Sequence, residues 1–418
     1  MVLLARQLDR LIRSGSLTIV DAGGTIRTCG DGTPPAVAIR LTDARLPLAL
    51  LLDAELALPE AYMDGRLLIE QGDLRTLLEL LIRNLRLRSP TAGFGLRRHL
   101  RALARGFNRR NPIERSQANV ARHYDLSDEL YQLFLDSERA YSCAYFETGR
   151  EDLETAQRAK ERLIAGKLLL RPGMRVLDIG SGWGALTRHL CELAGRQINL
   201  TGITLSREQH AHAVMRAAAA GLADRIDYQL VDYRQVEGRF DRVVSVGMFE
   251  HVGARHYDEY FQRVRELLTD DGVALVHSIG RAHGPYETSP FIKKYIFPGG
   301  YIPALSEVLP AIERAGLWVT DVEILRLHYA KTLRCWQKLL AAHRAEVEAI
   351  YDARFYRMWE FYLVGSELFF ALEDGMVFQI QLAADRNAVP LTRSYLLAPP
   401  PAANRNSDQM SSRLDRAS

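Results

Sequence analysis

A glycine-rich turn lies near the middle of the chain, directly after a short apolar segment. Its residues are Val176-Leu177-Asp178-Ile179-Gly180-Ser181-Gly182-Trp183-Gly184, and a helical pattern begins at Ala185. Glycines at alternate positions let the backbone turn sharply and approach a ligand closely, and the free N–H groups at a helix start attract polar or anionic atoms. The turn therefore predicts a nucleotide-binding site.

The residues that follow indicate which nucleotide binds there. A dinucleotide site normally has an acidic residue at the end of the second strand, whereas this chain has Gly202-Ile203-Thr204. The spacing Gly-x-Gly-x-Gly also differs from the dinucleotide pattern, so we predict S-adenosylmethionine as the cofactor. The amide of Gln209 would bind the ribose, Asp232 would accept a hydrogen bond from the adenine amino group, and Tyr233 would stack on the ring. The alternative is that Asp232 and Tyr233 only end the third strand.

Apolar runs that alternate with helical stretches must position these residues. This alternation is typical of a parallel sheet with helices on both faces, so we predict an α/β fold with a seven-stranded, doubly wound sheet. A helical, aromatic-rich segment at residues 331–372 interrupts the last two strands and would either roof a pocket or extend the core. The predicted strands are residues 174–179, 198–204, 226–231, 240–246, 273–279, 317–325 and 377–382.

The chain before this sheet divides into two parts. Residues 1–82 combine short apolar runs with helical leucine spacing and predict a small α+β domain. Residues 83–115 form a linker in which the only acid is Glu114. The arginines of this linker are Arg83, Arg86, Arg88, Arg97, Arg98, Arg101, Arg105, Arg109, Arg110 and Arg115.

The linker contains the pattern of a basic amphipathic helix, because Leu96, Leu100, Leu103 and Phe107 share one helical face. Such a helix can lie on anionic lipid, where each arginine contributes roughly 1 kcal/mol. The alternative is that its apolar stripe packs on a neighbouring domain while the arginines are solvated. We assign residues 116–395 to the nucleotide-binding domain and predict a disordered tail over residues 396–418.

Composition excludes several classes of protein. Among 418 residues, 54 are Lys or Arg and 51 are Asp or Glu, so the net charge of +3 does not indicate a nucleic-acid partner. The longest apolar stretch is cut by Asp53 and Glu55 and is too short to span a bilayer. The first residues show no secretory signal, which predicts a cytoplasmic protein. The four cysteines form no Cys-x-x-Cys pair, so we expect reduced thiols and no structural metal.

Seven motifs together resemble the cyclopropane-fatty-acyl-phospholipid synthases and the related mycolic acid cyclopropane synthases. The resemblance covers roughly residues 110–395 and implies a Rossmann-like methyltransferase domain. The first domain is similar to the small N-terminal domain of the bacterial phospholipid enzymes, which implies phospholipid acyl chains as substrate. The motifs are His123-Tyr124-Asp125-Leu126, Tyr141-Ser142-Cys143-Ala144-Tyr145-Phe146, Leu177 to Gly184, Gly202-Ile203-Thr204-Leu205-Ser206 with Gln209, Glu250-His251-Val252-Gly253, Lys294-Tyr295-Ile296-Phe297-Pro298-Gly299-Gly300 and His328-Tyr329-Ala330-Lys331-Thr332-Leu333.

The resemblance implies methyl transfer from S-adenosylmethionine to the double bond of an unsaturated acyl chain, followed by proton loss and ring closure. It also implies a bicarbonate base, held by the backbone of Cys143 and Ile279 and by the side chains of Glu250, His277 and Tyr329. Taken singly, each of these three side chains also fits a structural role. The implied cofactor-binding positions are Tyr141, Ser142, Val176, Asp178, Gly180, Gly182, Trp183, Gly184, Thr204, Ser206, Gln209, Tyr233 and Arg234.

The leading hypothesis is a cytoplasmic enzyme that docks on membrane phospholipids at the inner face of the membrane through residues 83–115. Two alternatives remain open: a related methyltransferase that leaves a methyl or methylene branch, and a non-catalytic lipid-binding protein. The sequence also leaves open whether two copies form a homodimer. Some family members carry a cysteine where this chain has Ser366, so a cysteine nucleophile from that helix is excluded. Cys143→Ser is then predicted to keep substantial activity.

Overall fold

Two β-sheets organise the chain in the computed structural model, which describes residues 1–87 and 128–396. The elements of the first unit are α1 (Val2–Leu11), β1 (Ser16–Val20), β2 (Ile26–Gly30), β3 (Ala36–Leu41), α2 (Leu46–Met63), β4 (Leu67–Gln71) and α3 (Leu74–Arg86). Its four strands follow the order β2-β1-β3-β4, and only β1 and β3 are parallel neighbours. This is the small α+β unit that the sequence predicts.

Helices α2 and α3 show how local sequence sets the elements of this unit. Pro47 occupies the first turn of α2, where its missing N–H is not needed, and the helix bends at Asp53. Asp73 caps α3, because its carboxylate accepts the backbone N–H of Thr76 at 2.7 Å. Helix α3 continues to Arg86, so it crosses residue 82, at which we ended the first domain. The predicted linker helix lies in residues 88–115, outside the described residues, and so do the motif at residues 123–126 and residues 397–418 of the tail.

The second sheet has seven strands, and each of the seven predicted segments forms one of them. The strands are β5 (Arg175–Ile179), β6 (Asn199–Thr204), β7 (Ile226–Leu230), β8 (Phe240–Val246), β9 (Leu268–Arg281), β10 (Trp318–Leu325) and β11 (Gly375–Ala383). The helices are α4 (Asp128–Phe134), α5 (Leu153–Leu168), α6 (Ala185–Leu193), α7 (Arg207–Ala219), α8 (Tyr257–Leu267), α9 (Leu305–Arg314), α10 (His328–Ala342), α11 (Arg344–Ile350) and α12 (Ala353–Leu372). The predicted α/β, Rossmann-like fold is thereby confirmed.

The strand order is β10-β11-β9-β8-β5-β6-β7, and it corrects one expectation. We expected a parallel sheet, but β11 runs antiparallel to both β9 and β10. Eight of the nine residues of β11 are buried. A strand covered on both faces has the same apolar composition in either direction, so the pattern cannot give its direction. Helices α10, α11 and α12 form the predicted insertion between β10 and β11.

Helix α12 joins the two units. The carboxylate of Glu367 is fully buried, with Arg75 and Arg334 each 3.0 Å away. The hydroxyl of Tyr62 donates to Glu360 at 2.5 Å, and Leu74 and Leu78 pack against α12. These contacts fix the first unit against the helical insertion, and hence against the second sheet.

Three further observations concern the residues that the structure describes. None of their helices is both long and apolar enough to cross a membrane. They contain no group of three or more potential ligand side chains that would hold a metal ion. All four cysteines are free thiols, and Cys143 is fully buried.

Candidate active site

A cleft opens at the carboxyl ends of the central strands, where β5 has β6 on one side and β8 on the other. This reversal of strand order is where open α/β sheets bind ligands. The predicted cofactor residues that line the cleft are Gly180, Gly182, Thr204, Gln209, Asp232, Tyr233 and Arg234. The sequence analysis missed Gly247, Met248 and His251, which line it from the segment after β8. Of these three, only His251 belongs to one of the seven motifs.

The three glycines of the turn serve different purposes. All have positive φ angles, at 84° for Gly180, 54° for Gly182 and 81° for Gly184. A side chain on Gly184 would lie 2.6 Å from the Tyr228 hydroxyl, which donates to the Gly184 carbonyl oxygen. A side chain on Gly182 would meet no atom within 4 Å, because this residue faces the cleft. Packing therefore requires Gly184, whereas Gly182 keeps the backbone open to a ligand.

Several residues predicted at this site lie behind the cleft. The buried carboxyl of Asp178 accepts the Thr187 hydroxyl at 2.7 Å, and burial raises its pKa to about 6. Trp183 packs edge-on against Tyr131 and lies 5.1 Å from the guanidinium of Arg139. Val176, Gly184 and Ser206 also lie outside the cleft lining. In this structure they support the turn and the neighbouring helices.

Thr204 and Gln209 meet at the end of β6. The Thr204 hydroxyl donates to Gln209 Oε1 at 2.9 Å, and Ser206 caps α7 by accepting the Gln209 backbone N–H. The amide NH2 of Gln209 makes no hydrogen bond to the described residues. That group suits the acceptor oxygens of a ribose, as the sequence predicts.

Asp232 and Arg234 form a paired charge at the end of β7. Both carboxylate oxygens lie 2.8 Å from guanidinium nitrogens of Arg234, which also lies 5.4 Å from the centre of the Tyr233 ring. A carboxylate has about four lone-pair positions, so Asp232 can still accept one bond from an adenine amino group. The ion pair holds this acceptor in a fixed orientation.

Glu250 lies in a short turn at Phe249–His251, between the cleft and the second cluster of predicted residues. Its Oε1 accepts the backbone N–H of Ile279 at 2.6 Å. Its Oε2 is buried and has no hydrogen-bond partner among the described residues. Burial raises the pKa of Glu250 to about 7. An unpaired buried carboxylate oxygen is costly, so this atom is suited to a ligand that donates a hydrogen bond.

His277 and Ile279 lie on the same face of β9, since side chains two apart in a strand share a face. His277 is only 2% exposed, and Gln379 on β11 lies 3.0 Å from its Nδ1. Burial, together with the charges of Lys160 and Lys167, lowers the pKa of His277 to about 3. His277 is therefore a neutral imidazole at physiological pH.

Cys143 and Tyr329 share an aromatic cluster with Ile279. The Tyr329 ring lies 4.8 Å from Phe370 and packs edge-on against Trp336. The Cys143 thiol donates to the Ala144 carbonyl at 3.3 Å, and burial raises the pKa of this thiol. The structure thus brings Cys143, Tyr329, Ile279 and Glu250 into one continuous set of contacts, with His277 on the same strand face.

The segment with Tyr141 and Ser142 is held by helix α5. Tyr141 stacks on Trp336 at 5.2 Å, and its hydroxyl lies 2.8 Å from that of Tyr362. The Gln157 amide donates to the Ser142 carbonyl, and Lys160 donates to the Ser142 hydroxyl at 3.0 Å. Lys160 is 3% exposed and makes no ion pair with the described residues. No sequence signal distinguishes this lysine from the solvated lysines that amphipathic helices normally carry.

The second unit resembles known proteins. The sequence model of the family described as "Mycolic acid cyclopropane synthetase" matches residues 112–380. The chain is 42% identical over 287 residues to a "Probable fatty acid methyltransferase" of Pseudomonas putida, which covers 66% of this chain and 71% of that protein. It is 38% identical over 258 residues to the cyclopropane-fatty-acyl-phospholipid synthase of Escherichia coli K12, covering 62% and 65%.

Solved structures show the same likeness. The mycolic acid cyclopropane synthase CmaA1, complexed with SAH and CTAB, superimposes with a TM-score of 0.61 at 36% identity. The match covers 66% of this chain and 99% of that one. The first unit, with its four-stranded sheet, lies before residue 112, where the match to the family model begins.

Proposed function

Because the chain belongs to the mycolic acid cyclopropane synthetase family of S-adenosylmethionine-dependent methyltransferases, we propose that it converts the double bond of an unsaturated phospholipid acyl chain into a cyclopropane ring. The observation that carries this proposal is the position of Glu250. Its turn lies between the nucleotide cleft and Ile279, which packs on the buried aromatic cluster. A methyl donor in the cleft and an acyl chain in the cluster would meet there.

The apolar surroundings suit the chemistry. An alkene is a weak nucleophile, so the protein must align it with the sulfonium methyl group and keep water from the carbocation that develops. Tyr329, Trp336 and Phe370 are buried together. Aromatic faces stabilise positive charge by about 2 kcal/mol or more when desolvated, and they offer no nucleophile comparable to water.

Bicarbonate, when bound, would supply the base that removes a proton from the transferred methyl group. The unpaired Oε2 of Glu250 is suited to accept its hydroxyl, while His277 and Tyr329 would donate to its other oxygens. The Ile279 N–H already donates to Glu250, so we assign it to holding that carboxylate instead of the anion. Activity in CO2-free buffer should fall, and it should return when bicarbonate is added. Activity that does not depend on bicarbonate would contradict its role as the base.

The cofactor would be held by the chain's own polar groups. We propose that Gln209 donates to the ribose, that Asp232 accepts from the adenine amino group, and that the backbone around Gly182 approaches the donor closely. Ser142, fixed by Lys160 and Gln157, lies on the side of the catalytic cluster. These assignments are tested by cofactor affinity in Gln209→Ala and Asp232→Ala, each of which should bind less tightly while folding normally.

Membrane docking at the inner face would bring the acyl chain to this site. The arginines of residues 83–115 are the proposed contact, and of these the structure describes Arg83 and Arg86, which lie in the last turn of α3. Exposed charges are screened within about 10 Å at 0.1 M salt, so binding to anionic vesicles should weaken as salt rises. Binding that does not change with salt would contradict the electrostatic contact.

The decisive experiment is mass spectrometry of unsaturated phospholipid vesicles after incubation with the protein and methyl-deuterated S-adenosylmethionine. Gain of one CH2 unit carrying two deuteriums, with loss of the alkene, supports ring formation. Gain with an alkene retained would instead establish a branched-chain methyltransferase. No gain despite cofactor binding would overturn the proposal.

A further inference from the structure

A buried polar chain runs from β10 to His277. Antiparallel pairing of β9 and β11 places Gln379 directly opposite His277. The Gln379 side-chain nitrogen lies 3.0 Å from His277 Nδ1, and its oxygen lies 2.7 Å from Lys167 Nζ. Lys167 also donates to Glu323 on β10. Gln379 and Lys167 are buried, so water does not compete for the contact between them, whereas Glu323 is partly exposed.

The order of donors and acceptors along this chain is fixed by chemistry. A lysine ammonium only donates, so the group of Gln379 that faces Lys167 must be the amide oxygen. The amide NH2 then faces His277, and Nδ1 must accept from it. A neutral imidazole that accepts at one nitrogen carries its proton on the other, which places the proton of His277 on Nε2.

The charged groups around His277 favour the same state. Lys167 and Lys160 on α5 are the cations whose charges lower its pKa, in addition to burial. The nearby acid, Glu250, is bound to Ile279 two residues along the strand. A protonated imidazolium would direct an N–H at the NH2 of Gln379, which is a repulsive contact.

We infer that Gln379 and Lys167 are positioning residues that hold His277 as the neutral Nε2–H tautomer, so that the imidazole donates a hydrogen bond to the anion in the active site. This inference rests on the proposed function for the identity of the anion. Lys167 acts on Gln379 by fixing its amide, and Gln379 acts on His277 by fixing its proton. Neither side chain needs to touch substrate or cofactor.

The tautomer can be measured directly in the full-length protein labelled with 15N-histidine. Nitrogens with and without a proton differ strongly in 15N chemical shift, and the His277 signals are assigned by their absence in His277→Gln. The wild-type spectrum should show a protonated Nε2 and an unprotonated Nδ1. A protonated Nδ1 would overturn the inference before any variant is needed.

Gln379→Glu reverses the direction of the bond, because the new carboxylate stays paired with Lys167 and accepts a hydrogen bond from a protonated Nδ1. We expect the 15N pattern of His277 to invert and kcat to fall about 10- to 100-fold, the range seen when the partner that orients a metal-bound histidine is changed. The dissociation constant for S-adenosylmethionine should change less than twofold. An inverted tautomer with unchanged kcat would overturn the positioning role.

Gln381 provides a matched control on the same face of the same strand. It is equally buried, and its amide donates to the Lys167 backbone carbonyl at 2.6 Å instead of to a histidine. Gln381→Leu should therefore keep the wild-type tautomer, and its unfolding midpoint in urea reports the general cost of losing a buried amide. If Gln381→Leu lowers kcat as much as Gln379→Glu does, the effect is structural and the inference fails.

Failure of the proposed function would give a different result from failure of the tautomer inference. In that case the wild-type protein would form no ring on any lipid while its spectrum still showed Nε2–H and inverted in Gln379→Glu. The tautomer would then stand, and a different anion would have to be the acceptor of the His277 proton. Lys167→Met adds a second variant, because it frees the Gln379 amide to rotate and should give a mixture of both tautomers.

Discussion

The Glu250 carboxylate accepts the Ile279 backbone N–H over 2.6 Å, and this contact joins the turn after β8 to the end of β9. The second oxygen remains buried without a partner among the described residues. One side chain thus anchors β9 and offers an acceptor to a ligand. Substitutions at this position should separate the two roles.

Glu250→Gln should abolish most activity while leaving the cofactor site intact. The amide oxygen can still accept from Ile279, but the side chain loses the charge that would support a base. We expect the methylene-transfer rate to fall about 100- to 10,000-fold, with cofactor affinity changed less than twofold. Rates come from radiolabelled S-adenosylmethionine, and affinity comes from calorimetry. A variant that retained a tenth of the wild-type rate would remove Glu250 from the proposed chemistry.

The same variant should alter how stability depends on pH. Burial raises the pKa of Glu250 from 4.5 to about 7, so the folded state binds this proton more tightly than the unfolded state. The stability it contributes is present below pH 4.5 and is lost as pH rises through 7. Glu250→Gln should therefore gain about 3 kcal/mol relative to wild type between pH 4 and pH 8, because one pKa unit is worth 1.36 kcal/mol. Urea unfolding of both proteins across this pH range measures the gain. If the free energy of unfolding changed with pH in the same way for both, the prediction would be contradicted.

Substitutions of two glycines in the turn should impair the protein for different reasons. Gly182→Ala keeps a left-handed backbone in open space, so it should cost about 1 kcal/mol of stability yet bind cofactor poorly. Gly184→Ala adds contact at 2.6 Å with Tyr228 and 2.8 Å with Ala213, and it should cost about 3 kcal/mol. Urea unfolding and cofactor titration on both variants make the comparison. Equal losses of stability would contradict the distinct roles.

Cys143→Ser should retain substantial activity. The thiol is buried, its pKa is raised, and it donates to the neighbouring Ala144 carbonyl, which a serine hydroxyl can also do. Assay of the purified, folded variant tests this directly. Its circular dichroism spectrum and melting temperature serve as the control for folding, and complete loss of activity in a folded sample would make the thiol itself essential.

Glu60→Gln should weaken lipid turnover without affecting cofactor binding. Glu60 in the first unit accepts from Lys294 at 2.7 Å and from the Tyr295 hydroxyl at 2.8 Å, so it holds a segment of the second unit that packs on the aromatic cluster. We expect KM for lipid to rise several-fold. Glu70→Gln is the matched control, because its pair with Arg40 is exposed and lies within the first unit. Equal effects of the two variants would argue against a role for the contact between units.

Much of the fold follows from local pattern. Buried strands appear as apolar runs, and the seven predicted segments became seven strands. The direction of β11 could not be predicted, because a strand buried on both faces has the same apolar composition in either direction. The burial of Gln379 and Gln381 could not be predicted either, since their partners His277 and Lys167 are distant in sequence. A pair of buried glutamines looks like surface alternation until its partners are known.

The candidate site was predictable where the residue type itself indicates the contact, as for the glycine turn and Gln209. It was not predictable where the role of a residue depends on the packing around its side chain. Asp178 lies within the glycine-turn motif, yet its carboxyl accepts the Thr187 hydroxyl behind the cleft. Lys160 and Lys167 are spaced seven residues apart on α5, like surface lysines of many helices, and only the packing of that helix against β9 and β11 buries them. The catalytic roles of the five predicted residues remain predictions.

The insertion of β11 between β9 and β10 has a consequence for how the protein is made. Among the described residues, β11 is the last strand to leave the ribosome, yet it lies inside the sheet and not at its edge. The nascent chain can assemble β5 to β8 early, but β9 and β10 must stay apart until residues 375–383 arrive. The strand that carries Gln379, the partner of His277, is therefore made after every strand around the glycine turn.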